Sequence, residues 1–349
     1  MRLRERMEAL NVPGISIAVI NKGAIEWARG YGMADVSSAR AVTPHTRFQA
    51  GSISKPVTAM AVLTLVERGV LSLDHDVNDY LIRWKLPDNV FTAQRAVTLR
   101  ALLSHTAGVN VHGYEGYSAG TPAPNLLEVL DGKHPANSAA VRVDALPGSA
   151  WRYSGGGYEI VQQLLEDTVN ERLSQFARNT VLAKIGMRES SFALPAEWKA
   201  SAAHGYLTDG RPVAGGWHSY PETAAAALWA TPSDIARFVI EIQESLAGRS
   251  NRVLSQAMTK QMLMPGIETF GLGLFLGESS DVRPSFRHSG GTHGFRSMMF
   301  AYDMTGQGAV IMTNSDNGGA LVEEVLRAIA REYGWTNYLV SGASPQTEK

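Results

Sequence analysis

Candidate β-strands lie at both ends of this chain, whereas its middle is helical and rich in loops. Near the N-terminus, two apolar runs at 15–21 and 24–31 flank a short Asn-Lys-Gly turn, which predicts a β-hairpin. The last third of the chain holds four further candidate strands, at 271–276, 284–288, 294–302 and 308–313. An isolated hairpin leaves its apolar face uncovered. We therefore predict that both ends of the chain join one antiparallel sheet.

This arrangement indicates an α+β fold of the α/β sandwich type, in which helices flank the antiparallel sheet and a mostly helical lobe is inserted. We expect residues 1–58 and 225–349 to form the α/β sheet domain, and residues 59–224 to form the mostly helical domain. A site for a small molecule would then lie in the cleft between them. The clearest predicted helices are 57–66, 99–103, 158–169, one that begins after Thr231, and 321–333.

The composition excludes several classes of partner. Lys and Arg number 32 and Asp and Glu number 33, and the two signs are mixed along the chain, so we find no basic stripe that would suit nucleic acid. The chain contains no cysteine, which excludes disulfides and thiol nucleophiles. Its nine histidines are scattered, and glycines typical of a turn separate His288 from His293. We therefore expect no metal site.

The N-terminus begins with a charged segment that no apolar run follows, so it does not resemble a signal peptide. No stretch approaches the roughly 20 apolar residues that a membrane-spanning helix needs. From the sequence as it stands we expect a cytoplasmic protein, or a periplasmic or secreted one if an export signal has been removed. The sequence leaves the oligomeric state open.

A serine and a lysine three residues apart open the most apolar helix of the chain. Ser52 and Lys55 precede the apolar run 57–66, and a helix that is apolar on all sides is a buried helix. Residues at i and i+3 share one helix face, so the amine of Lys55 can reach the hydroxyl of Ser52. Partial desolvation would favour the neutral amine, which can help to remove the serine proton. The pair predicts a serine nucleophile, although such pairs also occur by chance on surface helices.

Further motifs follow in order along the chain. They are Leu-Leu-Ser-His-Thr-Ala-Gly at 102–108, Tyr-Ser-Gly at 153–155 and His-Ser-Gly-Gly at 288–291. With the segment 32–77 around Ser52, this series resembles the penicillin-binding-protein and class C β-lactamase-like serine hydrolases. That family includes DD-peptidases, D-aminopeptidases and β-lactamase-fold esterases, and its β-lactamase/transpeptidase-like fold agrees with the predicted sandwich. Each motif alone is weak, but their order covers most of the chain.

The resemblance implies acyl transfer in two steps through a covalent acyl-enzyme. Ser52 would attack a carbonyl carbon, while Lys55 and Tyr153 relay its proton. Tyr153, with help from His288, would then protonate the leaving group and later activate water. Which of Lys55 and Tyr153 is the general base stays open. This chemistry requires no metal and no organic cofactor, and its substrate would be a small ester, an amide or a short peptide.

The resemblance also implies how the substrate is held. The backbone N–H groups of Ser52 and Gly291 would form the oxyanion hole, which is usually the largest single contribution to such catalysis. Gly290 and Gly155 would contact the substrate, since glycine lets another backbone approach closely. An ordinary tight turn at a strand end also fits the glycines at 290 and 291. Four aromatic residues in nearby loops are candidates for the cleft wall: His112, Tyr114, Trp217 and Tyr220.

Two departures from the family pattern bear on the substrate. Gly155 stands where relatives commonly have an asparagine that binds the lysine and the substrate amide, and His288 stands where β-lactamases and DD-carboxypeptidases usually have a lysine. A neutral histidine supplies no fixed charge for a substrate carboxylate. We therefore expect weak or no β-lactamase activity and a preference for esters, amides or peptides that contain D-amino acids. The alternative is a penicillin-binding or sensor-type protein that acylates, or binds cell-wall peptide, without efficient turnover.

Overall fold

A seven-stranded antiparallel sheet, built from the two ends of the chain, is the centre of the fold. This computed structural model describes residues 2–277, 284–335 and 338. The strands among these residues are β1 (Gly14–Asn21), β2 (Ala24–Asp35), β3 (Arg40–Ala41), β4 (Phe48–Gln49), β5 (Trp229–Ala230), β6 (Phe275–Leu276), β7 (Ser285–Thr292), β8 (Phe295–Tyr302) and β9 (Gly308–Thr313). The strand order in the sheet is β3-β2-β1-β9-β8-β7-β6. Strands β4 and β5 pair separately.

Helices pack on both faces of the sheet and fill the middle of the chain. They are α1 (Leu3–Ala9), α2 (Ser54–Glu67), α3 (Leu99–Leu103), α4 (Leu126–Asp131), α5 (Gly155–Val169), α6 (Leu173–Ala177), α7 (Thr223–Ala226), α8 (Pro232–Leu246), α9 (Gln256–Met262) and α10 (Gly318–Glu332). A single turn of π-helix at Arg178–Leu182 and several short 3-10 turns connect them. The predicted fold class, an antiparallel sheet flanked by helices, is confirmed.

The N-terminal hairpin meets the C-terminal strands through β1 and β9. Ile15 pairs with Thr313 and Ile20 with Gly308, so the two ends of the chain share one hydrogen-bonded ladder. One face of the sheet packs on α10, whose residues Leu321, Val325 and Ile329 belong to the smaller of the two apolar clusters. The other face packs on α8 and, with α2 and α5, builds the larger cluster. The predicted closure of the sheet is thus observed.

Two features differ from the sequence predictions. The strand expected at 271–276 is only two residues long, because Gly273 has a φ of +90° and lies against Ala59 of α2 instead of extending the ladder. Strand β7 continues four residues past His288, since Gly290 pairs with Ser297 and Gly291 with Arg296. The turn follows at His293 and Gly294, so the glycines at 290 and 291 belong to a strand and not to a turn.

The division into a sheet domain and a helical domain stays a prediction. Its first boundary, at 58/59, falls inside α2, and its second, at 224/225, falls inside α7. Helix α2 is therefore shared by the region that holds the sheet and the region that holds the inserted helices. Among the residues that the structure describes, no helix is long and apolar enough to cross a membrane.

Candidate active site

Ser52 lies on a 3-10 turn, Gly51–Ile53, directly before α2. Every residue of α2 from Ser54 to Leu65 is buried, so this helix fixes the turn at the centre of the molecule. Gly51 has a φ of +55°, and a Cβ there would lie 2.7 Å from the backbone nitrogen of Gly291. Only glycine suits this position, because the turn and strand β7 touch backbone to backbone.

The predicted contact between the lysine and the serine is present. Lys55 Nζ donates a hydrogen bond to Ser52 Oγ at 3.0 Å and a second one to the carbonyl oxygen of Ala225 at 3.1 Å. The lysine is 2% exposed, and its Nζ lies 4.8 Å from the centre of the Tyr153 ring. A buried amine in this position is oriented by the serine, the carbonyl of α7 and the aromatic face.

Tyr153 enters the site from the segment that precedes α5. Ser154 caps that helix, since the N–H of Gly157 donates to its Oγ at 3.0 Å. The ring of Tyr153 packs against His105 at a centroid distance of 4.3 Å and against His112 at 5.0 Å. The structure therefore brings Ser52, Lys55 and Tyr153 together, while their catalytic roles stay predictions.

His105 is a buried member of this cluster that the sequence analysis treated only as part of a motif. The N–H of Ser154 donates to its Nδ1 at 3.1 Å, which places the ring proton on Nε2. Burial, followed by the charge of Lys55, holds the pKa of His105 well below its ordinary value. The imidazole is therefore neutral and fixes the backbone beside Tyr153. The motif Leu-Leu-Ser-His-Thr-Ala-Gly at 102–108 was the signal in the sequence that could have placed this histidine in the site.

His288 lies on β7 and is fully buried. Its Nδ1 is 2.6 Å from the carbonyl oxygen of Ser289, so Nδ1–H is the donor and Nε2 is left as an acceptor. Burial and, to a smaller extent, the charge of Lys55 lower the pKa of His288 to about 3. The ring is neutral at physiological pH and supplies no positive charge for a carboxylate.

Close backbone packing explains the glycines of β7. A Cβ on Gly290 would overlap the carbonyl oxygen of Ala50, whereas the nearest atom to a Cβ on Gly291 is Cδ of Arg296, at 3.7 Å. Ser297 Oγ donates to the same Ala50 oxygen at 2.9 Å and ties β8 to the turn. Strand β7 is thus held against the turn that carries the serine.

A cleft of about 1170 Å³ opens over β7 and Tyr153. Its lining is mixed: aromatic rings and charged side chains alternate with small residues, and it includes His112, Tyr114, Trp151, Tyr153, Tyr220 and Phe275, together with Gly290 and Gly291. Of the four candidate wall residues, Trp217 is absent from the lining and packs on Trp229. Ser52 and Lys55 are not part of this lining and lie beneath it. Ser52 is only 9% exposed.

Charged residues at the cleft are mostly paired. Arg296 forms an ion pair with Asp316 at 3.0 Å and donates to the carbonyl of Thr292 at 2.7 Å. Glu115 pairs with His293 at 2.9 Å. Arg287 also lines the cleft. Among the described residues, no group of three or more His, Asp or Glu is placed to hold a metal ion.

Gly155 lies in the first turn of α5 and is absent from the cleft lining. The ring of Tyr114 fills the space beside it, because a Cβ at position 155 would lie 3.0 Å from Cε2 of Tyr114. Tyr114 therefore uses the room that this glycine provides. Contact between Gly155 and a substrate remains a prediction.

Comparison with known proteins places this geometry in a family. The model of the family described as Beta-lactamase matches residues 2–333. The chain belongs to this family. The sequence is 28% identical to penicillin-binding protein 4 of Amycolatopsis lactamdurans, over 94% of this chain and 89% of that protein. The predicted membership of the β-lactamase-like serine hydrolases and penicillin-binding proteins is confirmed.

Solved structures of the β-lactamase fold superpose along nearly the whole chain. The octameric penicillin-binding protein homologue from Pyrococcus abyssi has a TM-score of 0.79 and 24% identity, with 95% of this chain and 76% of that chain covered. The D-amino acid amidase from Ochrobactrum anthropi SV3 has a TM-score of 0.72 and 22% identity, with 95% of each chain covered. At these identities the likeness establishes the fold.

Proposed function

We propose that this member of the β-lactamase family hydrolyses a small ester or amide through an acyl-enzyme on Ser52. The observation that carries the proposal is the 3.0 Å hydrogen bond from Lys55 Nζ to Ser52 Oγ. Both residues are buried, so the bond is shielded from solvent. Such a lysine can accept the serine proton only as the free amine, so the proton must leave Lys55 before each attack, with Tyr153 as the neighbouring relay.

In the first step Ser52 Oγ forms a bond with the substrate carbonyl carbon, and its proton passes to Lys55 or Tyr153. The oxyanion is stabilised by the backbone N–H groups of Ser52 and Gly291, which the packing of Gly51 on β7 supports. Collapse of the tetrahedral intermediate breaks the bond to the leaving group, which takes the proton. Water then attacks the acyl-enzyme by the reverse route and releases the acid.

The cleft wall carries several aromatic rings, against which an apolar part of the substrate can pack. Buried His288, whose pKa is lowered to about 3, does not supply the cation that a lysine would supply at its position. Penicillins carry a carboxylate that relatives with a lysine at this position can bind. We therefore propose that esters or amides, including those of D-amino acids, react faster than β-lactams.

A comparison of p-nitrophenyl butyrate with D-alanyl p-nitroanilide tests the substrate class. Turnover of either substrate that is lost in Ser52→Ala supports a hydrolase, and the ratio of the two kcat/KM values decides between esterase and amidase. If the folded protein hydrolyses neither the ester nor the amide, the proposed function is contradicted. Substitution of Ser52 by alanine should lower kcat by about 10⁶-fold.

The second candidate function is a penicillin-binding or sensor protein that is acylated and not turned over. Gly155 favours this reading, because it lacks the amide that would bind the substrate and Tyr114 closes the space beside it. A labelled penicillin that stays on Ser52 for hours, with no hydrolysis of esters or amides, would favour this second function over the first.

A further inference from the structure

Both backbone groups of Ala225 in α7 are held by buried side chains. Its carbonyl oxygen accepts the hydrogen bond from Lys55 Nζ at 3.1 Å. Its N–H donates to Oε1 of Glu159, on α5, also at 3.1 Å. The amides in the first turn of a helix have no partner within that helix, so Glu159 supplies the acceptor that Ala225 would otherwise lack.

The neighbouring residue Ala224 is held in the same way by a parallel pair of side chains. Its N–H donates to Oε1 of Gln162 at 3.1 Å, and its carbonyl accepts from Oγ1 of Thr58 at 3.2 Å. Gln162 follows Glu159 by three residues on α5, and Thr58 follows Lys55 by three residues on α2. Only the first chain of hydrogen bonds, from Glu159 through Ala225, leads to the lysine that contacts Ser52.

Glu159 is buried in an environment that disfavours its charge. It is fully buried, its Oε2 has no partner among the described residues, and neither do the two carboxylate oxygens of Glu222. Burial, followed by the neighbouring Glu222, raises the pKa of Glu159 well above its ordinary value, against the opposing pull of the Ala225 N–H and Lys55. The titratable groups around the two acids are Lys55 on α2, Glu166 on α5 and Tyr114, Tyr117 and Tyr220 from the loops.

We propose that Glu159 is a positioning residue for Lys55, which it acts on through Ala225, and that it does so as the neutral acid. The inference rests on the serine chemistry proposed above. Loss of the Glu159 acceptor would leave a buried N–H without a partner, which is unfavourable unless the segment moves. Movement of Ala225 carries the carbonyl with it, and Lys55 then loses a hydrogen bond that orients its amine.

The test is the rate at which a fluorophosphonate labels Ser52, since this rate needs no knowledge of the substrate. In this reaction Ser52 Oγ forms a bond with phosphorus, the serine proton is removed and fluoride leaves. We expect Glu159→Ala to slow labelling by at least about tenfold and to move the pH at which the rate is half-maximal, because misplacement of a reacting group by about 1 Å can cost up to 10²-fold. The matched control is Gln162→Ala, which removes an equivalent bond that does not lead to Lys55. It should change the rate by less than about threefold and leave the pH profile in place.

Two more variants separate positioning from folding. Glu159→Gln keeps the acceptor oxygen and matches the neutral acid, so it should restore the labelling rate to within about threefold of wild type. Glu159→Leu fills the same space without an acceptor. Its Ser52 should be labelled slowly, and this variant serves as the test if Glu159→Ala does not fold. Equal losses in Glu159→Leu and Gln162→Ala, or a wild-type rate in Glu159→Leu, would overturn the inference. Labelling that persists in Ser52→Ala would instead contradict the proposed function, so the two failures are distinguishable.

Discussion

The ring of Tyr114 occupies the space next to Gly155. A Cβ at position 155 would lie 3.0 Å from Cε2 of Tyr114 and 3.2 Å from the carbonyl oxygen of His112. The family resemblance implies an asparagine at this position. The two residues are therefore a matched pair, in which absence of one side chain makes room for the other. We expect this pairing to affect the free energy of unfolding.

Gly155→Asn should lower the free energy of unfolding by about 1–3 kcal/mol, because extra atoms would be forced against Tyr114. Gly157→Ala is the control in the same helical turn, since its Cβ would meet its nearest neighbour at 3.6 Å. It should leave the protein equally stable, or more stable by up to about 1 kcal/mol. In a double-mutant cycle by chemical denaturation, Tyr114→Ala should relieve the loss caused by Gly155→Asn. Strict additivity would contradict the pairing.

The glycines of β7 make the next prediction. Gly290→Ala places a methyl group on the carbonyl oxygen of Ala50, whereas Gly291→Ala meets nothing closer than 3.7 Å. The first substitution should destabilise the protein by several kcal/mol or abolish labelling of Ser52 by a fluorophosphonate, because β7 must move away from the turn that carries Ser52. The second should fold normally and keep its backbone N–H. Thermal unfolding and fluorophosphonate labelling measure the difference, and similar behaviour of the two variants would refute it.

Glu222 should make the protein less stable as the pH rises. Burial raises its pKa from 4.5 to about 7, so between these values the folded state keeps a proton that the unfolded state has lost. Folded protein then binds more protons, and stability falls with increasing pH across this window, by at most about 3 kcal/mol. Glu222→Gln should remove the share of this fall that Glu222 contributes and leave the share of Glu159, whose pKa is also raised. Urea unfolding of both proteins at several pH values tests it, and identical slopes would exclude the effect.

His288 should make the protein less stable as the pH falls. Burial lowers its pKa from 6.5 to about 3, so between these values the unfolded state binds a proton that the folded state does not. Stability is therefore lost as the pH falls through this window. In NMR spectra of the folded protein, the ring signals of His288 should keep the neutral, Nδ1-protonated pattern at pH 5. Titration of this ring near pH 6.5 would show that it is charged in the site.

Much of the fold could be predicted from the chain. Apolar runs with turn residues between them marked the hairpin and β8, and the apolar stretch after Lys55 predicted the buried helix α2. The spacing of Ser52 and Lys55 was sufficient to predict their contact, since i and i+3 positions meet on any helix. The resemblance to the family, carried by the order of several motifs, added Tyr153 and His288 to the same site.

The parts that sequence could not supply depend on long-range packing. Nothing local to Gly290 indicates the carbonyl of Ala50, which lies 240 residues earlier in the chain. The short strand β6 was overestimated because the contact of Gly273 with α2 is invisible to periodicity. The sequence alone did not single out Glu159, because its link to Lys55 runs through a helix some 66 positions later. Such relationships emerge only when the segments are placed together.

The central claim is that Ser52 is the nucleophile, activated by the lysine that contacts it. Intact-protein mass spectrometry after incubation with a fluorophosphonate, a penicillin and nitrocefin tests it most directly. We predict one adduct with the fluorophosphonate that maps to Ser52 and is absent from Ser52→Ala, with slower or no labelling by the β-lactams. An adduct on another residue, or no adduct with any reagent in folded protein, would contradict the account.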